Sequence, residues 1–167
     1  MMLSEEEFLS LPDTPGKQEL LDGELIELPP AKLYHSAIAK KLMHLLASVA
    51  DDSRVWIEIA YWLREGRWLI PDVSVSWPGQ RTQRGWLKGP PMLAIEIASR
   101  GNSAEELESK TALYLEHGAA EVWVLYPKTQ TIVVSRKQDV LRVSPSGASY
   151  CELLGLNVVS DFWVSEE

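Results

Sequence analysis

Two short apolar runs each carry a single acid. LIPDVSVSW holds Asp72, and MLAIEIAS holds Glu96. Both runs have the composition of β-strands, and a carboxylate in a half-buried strand costs free energy unless a charge or a donor meets it. Side chains alternate along a strand. Asp72 therefore shares a face with Ser74 and Ser76, and Glu96 shares one with Met92, Ala94 and Ala98. The two alanines leave space around Glu96, which suits a pocket better than a packed core. If the two strands lie side by side, the acids converge. Converging carboxylates repel, so one takes up a proton or a cation sits between them. A magnesium ion, or manganese, suits the second case, because it takes oxygen ligands from one or two carboxylates and water. No run of cysteine or histidine offers a zinc site. The alternative is that each acid pairs with a lysine or arginine at a strand end.

Two further residues can join this chemistry. Lys110 falls on a predicted helix, three residues from Leu107 and four from Tyr114, so it borders the inward stripe of Leu107, Thr111 and Tyr114. An inward lysine on the helix after Glu96 can reach the same pocket. The alternative is a snorkelling lysine whose stem covers apolar surface. His35 opens another predicted helix, one turn before Ile38, and is either a site residue or a structural or capping one.

The elements that position these groups are legible in outline. LLDGELIEL (residues 20–28) reads as a hairpin turning at Asp22-Gly23. Ile38, Leu42, Leu45, Leu46 and Val49 keep helical spacing from about Leu33 to Val49. Residues 54–63 and 68–77 read as strands joined at Glu65-Gly66, and residues 92–99 as a third. Ser103 with Glu106 forms a capping box that opens a helix ending near Gly118. EVWVLYP and TIVVSR are further strands, and the tail after Arg136 reads as short strands and turns. The order is helix, strand, strand, strand, helix, strand, preceded by a β-hairpin. This predicts an α/β (α+β) domain spanning residues 1–167, with one layer of sheet and helices against it.

Composition narrows the function. The 167 residues are 46% hydrophobic and 24% charged, enough for one domain with a core. The single cysteine, Cys151, permits no internal disulfide and reads as a small buried residue. The start, MMLSEEEFLS, has acids and no basic residue, unlike a secretory leader, and no apolar run is long enough to cross a bilayer. These features predict a cytoplasmic protein without a membrane partner. The net charge of −8 opposes nucleic acid overall but says little about one face. WPGQRTQRGWLKGP is locally basic through Arg81, Arg84 and Lys88, and reads as a solvated loop or a phosphate-contacting loop beside the site. Neither a G-x-S-x-G elbow nor a G-x-x-x-x-G-K-[ST] loop is present. The seven tryptophans lie mostly in strand-like runs and suit core packing, with Trp77 and Trp86 flanking the basic loop.

Together, QELLDGELIELPP, His35, LIPDVSVSW, LAIEIAS and ESKTALYLEHGAAEVWVLYP, spanning about residues 18 to 127, resemble the Uma-two family of restriction endonuclease-like proteins. That family is placed in the PD-(D/E)XK nuclease superfamily. The resemblance implies a restriction endonuclease-like core and a magnesium-dependent endonuclease acting on DNA, with Asp72 and Glu96 as metal ligands and the carbonyl of Ile97 as an extra one. It also implies that a nearby lysine orients or activates water, and that two copies of such a nuclease often pair, which here would be a homodimer. The superfamily lysine belongs two residues after the second acid, where this chain has Ala98; the Uma-two pattern instead places one on the next helix, matching Lys110. His35 and Glu19 also fall on family positions. Tyr126 stands where the family usually has aspartate before Pro127. The absent lysine at position 98 leaves open a second reading, a non-catalytic module that keeps the fold for binding or assembly.

Overall fold

The computed structural model describes residues 2–143, 149–151, 156–158 and 163. A short helix, α1 (Glu5–Leu9), precedes the hairpin of β1 (Lys17–Leu21) and β2 (Glu24–Leu28). Helix α2 (Leu33–Ala47) follows, then β3 (Val55–Ile57), β4 (Tyr61–Arg64), β5 (Arg67–Leu69) and β6 (Val73–Val75). A loop carrying β7 (Thr82–Gln83) and β8 (Trp86–Lys88) leads to β9 (Leu93–Ile97), α3 (Ala104–Glu116) and β10 (Glu121–Tyr126). The remaining strands are β11 (Thr131–Ser135), β12 (Val140–Val143), β13 (Ser149–Cys151) and β14 (Leu156–Val158). The side chain of Cys151, expected to be buried, lies outside the described residues.

The class is α+β, and the predicted order survives as α2, β3, β6, β9, α3, β10. The single sheet layer does not. Two six-stranded sheets form, one ordered β2-β1-β5-β4-β8-β7 and the other β12-β11-β10-β9-β6-β3. The strands expected at 54–63 and 68–77 each break and cross between the sheets: β3 pairs with β6 in one, and β4 pairs with β5 in the other. The break has a local cause. Pro71 has no N–H to give a ladder, and on the other strand Glu58, bonded through its N–H to the Asp72 carbonyl, turns the chain at φ 50°. α1 was not expected either. The acidic start is a capping box, in which Ser4 accepts from the Glu7 N–H and Glu7 accepts from the Ser4 N–H.

The second sheet is buried on both faces. Val73, Val75, Leu93, Ile95, Ile97 and Trp123 pack with Ile38, Leu42 and Leu46 of α2. On the other face Ala94 and Val122 meet Tyr61, Leu69 and Leu87 of the first sheet, and Tyr114 of α3. α3 is held at its start by the predicted Ser103–Glu106 capping box and buries Leu107, Lys110 and Tyr114. Strand alternation thus assigns one face of the second sheet to apolar packing and turns the other, with its acids, toward β1 and α3.

Gly16 fixes where the hairpin begins. A Cβ there would lie 1.9 Å from the Leu28 carbonyl oxygen and 3.0 Å from its carbon. Both are backbone atoms, so the strands themselves must move. Gly16→Ala is expected to destabilise the protein by about 1–3 kcal/mol, the usual cost of overpacking, read by urea denaturation. A variant as stable as the wild type would contradict this close approach.

Candidate active site

β6 and β9 pair antiparallel, with Val73 opposite Ile95 and Ser74 opposite Ala94. Asp72 lies just before this ladder on its strand, and Glu96 just after Ile95 on the partner strand. Asp72 lies at the Pro71 break, where β6 begins, and its N–H donates to the Ile95 carbonyl at 3.1 Å. Both acids are buried, at 4% residue exposure each. Both line one pocket of about 130 Å³, together with Lys17, His35 and Ile97. The face predicted from alternation is therefore the face that carries the site, except that Met92 packs with the α2 side.

Each acid meets a lysine. The Lys17 ammonium, from the start of β1, bonds to Asp72 Oδ1 and donates to the Ile70 carbonyl at 3.2 Å. Asp72 Oδ2 accepts from the Ile97 N–H at 2.6 Å and lies 3.2 Å from His35 Nε2. Lys110 Nζ lies 2.7 Å from Glu96 Oε1 and 2.9 Å from Glu19 Oε1. The Tyr114 hydroxyl donates to Glu96 Oε1 at 3.1 Å. Glu19 Oε1 also accepts from the Ile70 N–H at 2.7 Å. Lys17 and Glu19 thus hold both polar groups of the Ile70 peptide, which the proline break withdraws from regular pairing. The same two side chains tie β1 to the acids.

The electrostatics follow from this packing. Burial alone would raise the Asp72 pKa, but the charges of Lys17 and His35 and their hydrogen bonds hold it well below the usual carboxylate range. Glu96 goes the other way. Its burial, with Asp72 and Glu19 nearby, outweighs Lys110 and Lys17 and raises it. Burial tends to lower the Lys110 pKa, yet the charges of Glu19 and Glu96 raise it above the ordinary lysine value. Lys17 is raised in the same way, by Asp72 and Glu96 against burial. Lys110 is therefore a cation at neutral pH. As an ammonium it holds no free lone pair with which to take a proton.

Of the residues assigned to the site from sequence, Asp72, Glu96, Ile97 and His35 line this pocket, and Lys110 and Glu19 lie behind them. Lys110 does more than border the inward stripe; it is buried along with Leu107 and Tyr114, while Thr111 is only half-buried. His35 sits on the first turn of α2, with Nδ1 buried and without a hydrogen-bond partner among the described residues. Sequence reasoning missed Lys17 and Tyr114. The signal for Lys17 was present in KQELL, where Lys17 and Glu19, two apart on β1, share a face. The space beside Ala94 is filled by Tyr114 and Tyr61 rather than left open, whereas Ala98 lines a second pocket of about 280 Å³. The basic residues Arg81, Arg84 and Lys88 line neither pocket. Lys88 instead lies 5.2 Å from the centre of the Trp62 ring.

Among the described residues no helix is long and apolar enough to cross a membrane. The fold is similar to a crystal structure described as a putative nuclease belonging to DUF820 from Anabaena variabilis ATCC 29413. The TM-score is 0.82, at 24% identity, over 96% of this chain and 97% of that one. Among curated proteins none matches this chain. A family model, Uma2, described as "Putative restriction endonuclease", matches residues 5–160. With nearly its whole length matched by that model, the chain belongs to the Uma2 family.

Proposed function

We propose that this protein is a magnesium- or manganese-dependent endonuclease that hydrolyses phosphodiester bonds of DNA, with Asp72 and Glu96 as the protein's carboxylate ligands. The observation that carries this reading is that the two acids, at adjoining ends of the paired strands β6 and β9, line one pocket. Membership of the Uma2 family supports a nucleic-acid substrate. The donor set fits the ion. Among the described residues no group of three or more His, Cys, Asp or Glu side chains is arranged to hold a metal ion, so an ion here would have only the two carboxylates as side-chain ligands. Two carboxylates, the Ile97 carbonyl and water match magnesium, which usually keeps several waters; zinc would call for more nitrogen or sulfur. When bound, such an ion lowers the pKa of water and offsets charge on the phosphate.

The chain's own groups supply the rest. Hydrolysis forms a bond from the water oxygen to phosphorus and breaks one P–O ester bond. The ester oxygen leaves with a proton from solvent, and the attacking water gives its proton to solvent. Glu19 and Tyr114 hold Lys110 and Glu96 in place, and His35 with the Ile97 N–H orients Asp72. Two copies acting together would serve both strands of a duplex, so a homodimer belongs to this reading.

The test is nicking of supercoiled plasmid. Wild type with magnesium or manganese is expected to yield open circles, and a chelator to stop it. Glu96→Gln should slow nicking by roughly 10²–10³-fold, the size of losing one preorganised charge-stabilising group. Full activity in that variant would remove Glu96 from the chemistry. One observation favours a second reading, a non-catalytic module for binding or assembly: each acid already has its lysine, so the network closes without a metal ion. That reading predicts neither nicking nor heat on metal titration.

A further inference from the structure

The network holds two lysines, and only one of them faces the pocket. Lys17 lines it beside Asp72, Glu96 and His35, whereas Lys110 lines neither pocket. Lys110 is enclosed by its two carboxylates and by the Tyr114 hydroxyl on the same Glu96 oxygen. An ammonium carries three N–H donors. On Lys17 the Asp72 carboxylate and the Ile70 carbonyl use two, which leaves a donor for a ligand in the pocket. The base of Lys17 is also well fixed. Gly16 abuts Leu28 within the hairpin, and Glu19 on the same face of β1 grips the Ile70 N–H, so β1 cannot slide relative to the segment that enters β6 without breaking that bond. A phosphodiester brings a negative charge into a pocket that already holds Asp72 and Glu96, in a chain of net charge −8. A cation facing that pocket reduces the repulsion.

We infer that Lys17 is the catalytic lysine, donating a hydrogen bond to a non-bridging oxygen of the scissile phosphate, and that Lys110 is a positioning residue acting through Glu96 and Glu19. This rests on the phosphodiesterase reading. The bond changes are those already given: the water oxygen bonds to phosphorus as the ester oxygen departs. Lys17 keeps its proton throughout. Because its ammonium sits on Asp72 Oδ1, Lys17 also competes with any cation for that oxygen.

Lys17→Met and Lys17→Arg separate these roles. Manganese binding is read by calorimetry on the protein alone, and cleavage by single-turnover nicking at saturating metal. Lys17→Met is expected to bind manganese as tightly as wild type or more tightly, yet to nick roughly 10²-fold more slowly. Lys17→Arg, which keeps the charge, should recover part of the rate, and serves alone if the methionine variant fails to fold. A methionine variant that nicks within about threefold of wild type overturns the assignment, as does a rate loss seen at low metal that disappears once the metal saturates. If wild type itself neither binds manganese nor nicks, the phosphodiesterase reading has failed first, and the assignment falls with it.

Discussion

Asp72→Asn is expected to end nicking and to lower the melting temperature together. Asparagine keeps the size of the side chain and an oxygen for the Ile97 N–H. It removes the charge that faces Lys17 and His35. The Lys17–Asp72 pair is largely shielded from water, with side chains 12% and 6% exposed. Taking one member from a buried ion pair leaves the other unpaired, which costs about 3 kcal/mol or more. For a chain of this size that is a fall of roughly 6–12 °C in Tm. The sign with pH can be worked out. The Asp72 pKa is depressed in the folded protein, so its contribution is complete above the ordinary carboxylate range and is lost as pH falls through the folded value. The stability gap between wild type and Asp72→Asn should therefore be widest near neutrality and close in acid. Metal titration gives the functional half: binding unchanged by the substitution would remove Asp72 as a ligand.

Lys110→Met should cost at least as much stability. It leaves Glu19 and Glu96, with side chains 1% and 5% exposed, sharing a buried space with no cation between them. The expected loss is about 3–5 kcal/mol, a large share of the total stability of an ordinary domain. Urea denaturation at neutral pH measures it. The loss should shrink when Glu19→Gln is added, because the repulsion goes with the charge, and a double-mutant cycle reports that coupling. A single-variant loss below about 1 kcal/mol would mean that the lysine does not hold the two acids together. Glu96 contributes with the opposite sign to Asp72. Its folded pKa is raised, so whatever stability it brings is complete in acid and declines as pH rises through the folded value.

Much of this site could be read from spacing. Period-two alternation identified the acid face of both strands, and a capping box with helical spacing brought Lys110 to the border of the inward stripe of α3. What spacing could not reveal was pairing between distant segments. Nothing local to KQELL says that β1 will lie over the Pro71 break, so Lys17 stayed invisible although its neighbour Glu19 was noticed. The two sheets were hidden for a related reason. Residues 54–63 and 68–77 keep strand composition throughout, and only Pro71 and the left-handed turn at Glu58 divide them. Proline was visible in the sequence, but its effect depends on which partner its missing donor would have faced. The alanines near Glu96 misled in part, since a large residue from another element, Tyr114, filled the space beside Ala94.

The Ile70 peptide, held by side chains from β1, has a bearing on how the protein comes into being. Lys17 and Asp72 are 55 positions apart, and Lys110 reaches back over 91 to Glu19. Contacts of such range form late, because loop closure must precede them. During synthesis, the early hairpin leaves the ribosome long before α3 does. A half-made chain therefore carries the acids without the lysine that meets Glu96, and the charge network closes only with the finished fold.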